Sequence, residues 1–332
     1  MVVGVSGYYG FQNAGDEAIL EAIVQEVKRR GHGVLALSKD PPATQARYGI
    51  QAVPRSNPFA LWRAFGRIDL LLSGGGGLLQ DKTSPGSLLY YLTVIGLARR
   101  RGKPVYVFNQ SLGPLSRRGE GWVRRSLRGV RTFFRDEGSL EYARKLGLEA
   151  QLGADPALLL QAPPVERESN LVVLVVRAGL PEANATLKKA GERLLAEGYE
   201  VMALGLQPGH DEPALEELHP FTRELAWDPR RVMYLLAQAG YVLSIRLHGA
   251  ILAAAAGTPF AGLSYDPKVA GFCRDAGAPF QELPGKARGL VEAVITNRQP
   301  NWEAIETMKA RVRASFDQVL SPIDQPGKVS RR

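Results

Sequence analysis

Three side chains that could bind anions or move protons crowd into the second half of the chain. Arg246 and His248 lie in Ser244-Ile245-Arg246-Leu247-His248-Gly249, and Lys268 closes Ser264-Tyr265-Asp266-Pro267-Lys268. Each stretch follows a short apolar run, Tyr241–Ile245 and Pro259–Leu263, that reads as a buried strand. Alternate residues at a strand end point to one side, so Arg246 and His248 are expected to share a rim, with Lys268 arriving from the next strand. Guanidinium and ammonium groups there suit a carboxylate or phosphate, and an imidazole titrating near neutrality suits proton transfer. His32, His210 and His219 fall in turns or surface helices and are assigned no role.

Four clusters in the first half also follow apolar runs. Gly7–Glu17 holds Asn13, Gly15 and Asp16 between a strand and a helix, where free N–H groups favour anions, although the dinucleotide pattern G-x-G-x-x-G is absent. Ser73–Asp81 contains four successive glycines, including Gly75 and Gly76, that let a ligand approach the backbone. Asn109 and Gln110 end the run Pro104–Phe108 with amides suited to sugar hydroxyls, or else introduce a Gly-Pro turn. Arg135, followed by Asp136, is placed either to grip an anion bidentately or to pair with its neighbour. No Cys/His/Asp spacing suggests a metal, and no G-x-S-x-G elbow suggests a serine hydrolase.

The elements that must position these residues alternate. Val2–Ser6, Gly33–Leu37, Ile68–Ser73, Pro104–Phe108 and Arg131–Phe134 are predicted strands, with helices such as Glu17–Arg30, Gly86–Arg100 and Glu137–Leu146 between them. After a Pro-containing linker at 161–168, strands are predicted at Leu171–Arg177 and Glu200–Leu206, with helices at Ala183–Glu197, Arg230–Ala239 and Gly249–Ala256. Buried strands with helical crossovers predict an α/β fold of two Rossmann-like doubly wound domains, residues 1–165 and 166–300, facing a cleft. Residues 301–332 are expected to be a closing amphipathic helix, Asn301–Leu320, and a disordered polar tail from Gln325.

One cysteine, Cys273, excludes an internal disulfide and fits a reducing cytosol. The opening Met1–Ser6 reads as a strand rather than a signal peptide, and no apolar run is long enough to span a bilayer. Residues 1–165 carry 22 Lys and Arg against 13 Asp and Glu, whereas residues 166–332 carry 20 of each, so the net +9 sits in the first half. That asymmetry points to an anionic partner. Nucleic acid is disfavoured, because no recognition-helix, zinc or RNA-binding pattern accompanies the charge.

Taken in order and spacing, Gly7–Glu17, Gly74–Gly77, Arg135-Asp136 with Ser139, Ala154-Asp155-Pro156, Ser244–His248 and Ser264–Lys268 resemble the polysaccharide pyruvyl transferase family. They are most similar to its branch acting on the secondary cell-wall polymer of bacteria with S-layers. The resemblance covers roughly residues 1–275 and implies a GT-B-like fold. It implies a phosphoenolpyruvate donor held mainly by the second domain, and a lipid-linked saccharide acceptor held by the first, around Asn13, Gly15, Gly75, Gly76, Asn109 and Gln110. The product would be a cyclic ketal on N-acetylmannosamine. The family's essential Arg, His and Lys correspond to Arg135, His248 and Lys268, with Arg246 competing for the donor carboxylate. His248 would be the acid and Asp16 a base, with no cofactor and no metal. One departure is Gln12, where the family's first loop is expected to have glycine. A cytoplasmic enzyme touching the inner, anionic membrane surface is expected, through Arg117, Arg118, Arg124, Arg125 and Arg128 with Trp122 as an anchor.

Overall fold

The computed structural model describes residues 1–82 and 84–321, so the tail expected from Gln325 lies outside the described residues. Seven strands, β1 (Val2–Ser6), β2 (Gly33–Ser38), β3 (Gln51–Pro54), β4 (Leu70–Gly74), β5 (Val105–Gln110), β6 (Arg131–Phe134) and β7 (Ala150–Leu152), form one sheet. Its order is β3-β2-β1-β4-β5-β6-β7. Six more, β8 (Glu168–Val175), β9 (Glu200–Gly205), β10 (Thr222–Leu225), β11 (Ala239–Ser244), β12 (Phe260–Ser264) and β13 (Phe280–Glu282), form a second in the order β10-β9-β8-β11-β12-β13. Both sheets are parallel throughout, which is why their central strands read as unbroken apolar runs.

The crossovers in the first half are α1 (Ala14–Arg29), α2 (Pro41–Tyr48), α3 (Pro58–Arg67), α4 (Pro85–Arg100), α5 (Arg117–Ser126) and α6 (Glu137–Lys145). The second half contributes α7 (Pro181–Ala196), α8 (Glu212–Glu217), α9 (Pro229–Gln238), α10 (Leu247–Ala255), α11 (Pro267–Asp275), α12 (Ala287–Ile295) and α13 (Trp302–Leu320). Side-chain caps start most of them: Asn13, Asp40, Asn57, Ser84, Ser116, Asp136, Asp228, Asp266 and Asn301 each accept a backbone N–H of the first turn. Proline directly follows Asp40, Asn57, Ser84, Asp228 and Asp266, a start signal that marks even the short helices.

Each sheet reverses its winding beside its first strand, between β1 and β4 and between β8 and β11. Ligands of such sheets bind outside the strand ends at that reversal. The two halves meet there, because one apolar cluster runs through Ile23 of α1, Leu158, Val232 of α9, Ile251 of α10 and Val312 of α13. Helix α13 returns from the second half to the first sheet. It buries Ile305, Met308, Val312, Phe316 and Val319 and sets Phe316 edge-on to Phe108, 4.7 Å between centroids. Among the described residues, no helix is long and apolar enough to cross a membrane.

One boundary matters for function. Helix α10 begins at Leu247 rather than Gly249, so His248 occupies the first helical turn and not a strand end. Arg246 is the N-cap residue immediately before it.

Candidate active site

A cavity of about 260 Å³ opens between the facing strand ends. Asn13, Gly15 and Asp16 line it from the β1–α1 junction, Gly76 and Gly77 from the loop after β4, and Arg135 from the end of β6. Arg177, Arg246, His248, Tyr265 and Lys268 line it from the second half, and Lys82 contributes a further cation. Five cationic side chains therefore surround a small space with two carboxylates, Asp16 and Asp266.

The junction is tied across the halves. Ala14 donates its N–H to the Leu206 carbonyl at 3.0 Å, and Asn13 Nδ2 donates to Gln207 Oε1 at 3.1 Å. Asn13 also caps α1 by accepting from the N–H groups of Gly15 and Asp16. Gly15 is required for clearance: a Cβ there would collide with the His248 ring on its Nδ1 side. Gly76, at φ +74°, brings its backbone against Asp16, and an added Cβ would lie 2.9 Å from Asp16 Oδ1.

His248 Nε2 lies 3.4 Å from Asp155 Oδ2, within ion-pair distance but with no hydrogen bond to Nε2. Asp155 also accepts from Arg135 Nη1 at 2.7 Å and from the Ala157 N–H at 3.0 Å. Burial alone would raise the Asp155 carboxyl, but the His248 imidazole and then the Arg135 guanidinium outweigh it and hold the group down to about 2. Asp16 goes the other way. Withdrawal from water pushes its carboxyl up to about 6, against the opposing pull of His248. One histidine thus lies between a firmly ionised carboxylate and one poised near neutrality. Lys268 is lowered, first by burial and then by the nearby Arg135 charge.

The two arginines are both engaged. Arg135 Nε donates to Ser111 Oγ at 2.7 Å besides its bond to Asp155. Arg246 donates to the Val176 carbonyl at 3.2 Å and to Asp211 Oδ1 at 2.5 Å. Asp211 is wholly buried and also accepts from the N–H groups of Ala178, Leu206 and Gln207.

Of the residues expected from sequence, the structure brings Asn13, Gly15, Asp16, Gly76, Arg135, Arg246, His248 and Lys268 to one cavity. Three others do not line it. Asn109 and Gln110 are fully buried, because β5 is a central strand that continues through Gln110. Gln110 Nε2 donates to the Ser73 carbonyl, and Asn109 Oδ1 accepts from Ser315 Oγ of α13, so neither amide meets a sugar in the cavity. Gly75 packs away from the cavity, where a Cβ would strike Ile19. Sequence reasoning missed Asp155 as the partner of His248, Asp211 as the partner of Arg246, and Arg177. The last lies two residues past the end of β8, so the strand-end rule could have found it. It also missed an aromatic stack in the first loop, Tyr8 on Phe11 with centroids 3.9 Å apart.

Two doubly wound sheets with their strand ends across a small polar cavity define an α/β fold of the GT-B type. Solved structures share this architecture. UDP-GlcNAc 2-epimerase from Neisseria meningitidis, bound to UDP-GlcNAc, superposes with a TM-score of 0.59 at 13% identity, covering 96% of this chain and 98% of its own. Anabaena HepE in complex with UDP and glucose gives 0.56 at 12% identity, covering 96% and 95%. Within that class, the chain belongs to the polysaccharide pyruvyl transferase family, which matches residues 13–267, and it is a transferase. It is also 24% identical over 287 residues to the amylovoran biosynthesis protein AmsJ of Erwinia amylovora, covering 73% of this chain and 68% of that protein.

Proposed function

We propose that the donor is phosphoenolpyruvate and that its pyruvyl group is transferred as a cyclic ketal to two hydroxyls of a lipid-linked cell-wall saccharide, with N-acetylmannosamine as the unit modified. One observation carries the donor assignment: five cations and one histidine surround a cavity of about 260 Å³. Phosphoenolpyruvate brings two anionic ends, a carboxylate and a phosphate, in a small body that suits a small, cation-lined cavity.

The chemistry follows from the residues. Lys268, Arg135 and Arg246 hold the phosphate and carboxylate, with Lys82 and Arg177 completing the anion site. His248 delivers a proton to the donor's methylene carbon, leaving an oxocarbenium-like centre at the adjacent carbon. A sugar hydroxyl attacks that carbon, and its proton passes to Asp16, whose raised pKa suits a base near neutrality. A second hydroxyl then forms the other C–O bond as the bond to phosphate breaks; its proton goes to His248, which the first step left deprotonated, and inorganic phosphate leaves with the electron pair. Asp155, 3.4 Å from His248 Nε2, orients the imidazole. The reaction is placed at the cytoplasmic face of the membrane, where the polymer would serve S-layer anchoring.

The test is to incubate the protein with phosphoenolpyruvate and aryl-tagged or lipid-linked N-acetylmannosamine saccharides. Acceptor-dependent phosphate release should accompany an acceptor mass gain of one pyruvate less one water. Transfer from a UDP-sugar instead, with no phosphate release from phosphoenolpyruvate, would overturn the reading.

A further inference from the structure

Helices α3, α4 and α5 lie side by side on one face of the first sheet, sharing the cluster that includes Phe65, Leu88, Ile95 and Val123. Their outer surface is unusual in two independent ways. The three helices carry eight arginines, Arg63, Arg67, Arg99, Arg100, Arg117, Arg118, Arg124 and Arg125, all exposed, against one acid. That acid, Glu120, already accepts from Tyr142 Oη at 2.7 Å. The same surface also exposes large apolar side chains: Phe59 is 83% exposed, Trp62 44% and Leu89 43%.

Helix α3 buries Leu61, Ala64 and Phe65 in the core, so Phe59 and Trp62 are apolar residues on its solvent side that the fold does not use. The Arg101 guanidinium sits 4.5 Å from the Trp62 ring centroid, setting a cation beside the aromatic group. The start of α4 joins this edge where Tyr90 Oη donates to the Arg55 carbonyl at 3.0 Å, next to Leu89. By contrast, Trp122 of α5, the anchor expected from sequence, packs part-buried against the core cluster.

From this pairing of an almost acid-free arginine surface with protruding aromatic and aliphatic side chains, we infer that α3, α4 and α5 form a face that docks on an anionic lipid bilayer. The arginines attract the headgroups, and Phe59, Trp62 and Leu89 enter the interfacial layer. A polyanion in solution would account for the arginines but not for the exposed apolar residues. The inference stands apart from the donor chemistry, since none of these residues lines the cavity.

The full chain is co-sedimented with phosphatidylcholine vesicles with and without phosphatidylglycerol, in dilute and in molar salt. Binding is expected with the anionic vesicles in dilute buffer only. The double variant Phe59→Ser/Trp62→Ser should need about tenfold more lipid for half-binding. Its unfolding midpoint and its phosphate release with a soluble acceptor should be unchanged, because both residues point to solvent. Brominated lipid should quench the parent's tryptophan emission more strongly than that of Trp62→Phe. No binding to anionic vesicles in dilute buffer, equal binding to neutral ones, or equal binding by the double variant would overturn the inference. So would a concentration-dependent dimer abolished by the double variant in the absence of lipid binding, which would assign the face to a second copy.

Discussion

Two buried arginine–aspartate pairs sit on opposite walls of the cavity, and they serve different ends. On the first-half wall, Arg135 meets Asp155, whose carboxylate also faces His248. On the second-half wall, Arg246 meets Asp211, whose carboxylate accepts three backbone N–H groups from the loops after β8 and β9. Asp155 is bonded mainly to groups that face the substrate space. Asp211 is bonded mainly to the scaffold. Similar pairs at similar strand ends therefore predict different losses: activity on one wall and stability on the other.

The largest effect expected is on chemistry. His248→Ala should lose about 10²–10⁴-fold in kcat, with an unfolding transition like the parent's, since the side chain serves the cavity and not the core. Turnover within a few-fold of the parent would remove its role as acid. Next comes the scaffold wall. Asp211→Ala leaves the buried Arg246 guanidinium without its counter-charge and three amides without their acceptor, a loss of about 3–5 kcal/mol measurable by urea unfolding. A loss under about 1 kcal/mol would mean that Asp211 is not the node described.

Donor affinity should separate the arginines. Lys268→Ala and Arg135→Ala each remove a charge-assisted contact of about 1.5–3 kcal/mol, read as weaker phosphoenolpyruvate binding by calorimetry. Arg246→Ala should combine a donor loss with a marked loss of stability. The reverse pattern, with Arg135→Ala unstable and Arg246→Ala harmful only to binding, would invert the comparison.

The smallest effect is in pH dependence. Because the Asp16 carboxyl sits at about 6 in the fold, the native state binds a proton that the unfolded chain releases, and stability falls as pH rises from its ordinary value to 6. Asp16→Asn should therefore stabilise by about 3 kcal/mol above pH 6 and by nothing below the ordinary carboxylate range. The acid limb of kcat/KM near pH 6 should vanish in the same variant. Asp155, held down to about 2, carries the opposite sign: its stabilisation is present above its ordinary value and is lost as pH falls toward 2.

Local chemistry made much of this readable in the sequence. The apolar runs that became β1, β4, β11 and β12 end one or two residues before Gly7, Gly75, Arg246 and Asp266, and strand-end reasoning led to most residues of the cavity. What stayed hidden was partnership. Nothing near His248 in the chain announces Asp155, because the two meet only where the halves pack together. Asn109 and Gln110 looked like binding groups because polar side chains after an apolar run imply a strand end. Central strand β5 instead continues through them, and Ser315 of a distant helix takes up Asn109. Gly15 read as a loop glycine, and its actual constraint, the His248 ring, comes from the other half.

The proposed phosphoenolpyruvate site stands against a nucleotide-sugar site in the same cavity. It is tested most directly by titrating the same preparation with phosphoenolpyruvate and with UDP in a calorimeter. Saturable heat with phosphoenolpyruvate, competed by inorganic phosphate and weakened in Lys268→Ala, with none from UDP, is the predicted result. Saturable UDP binding that Lys268→Ala weakens, with no response to phosphoenolpyruvate, would contradict it.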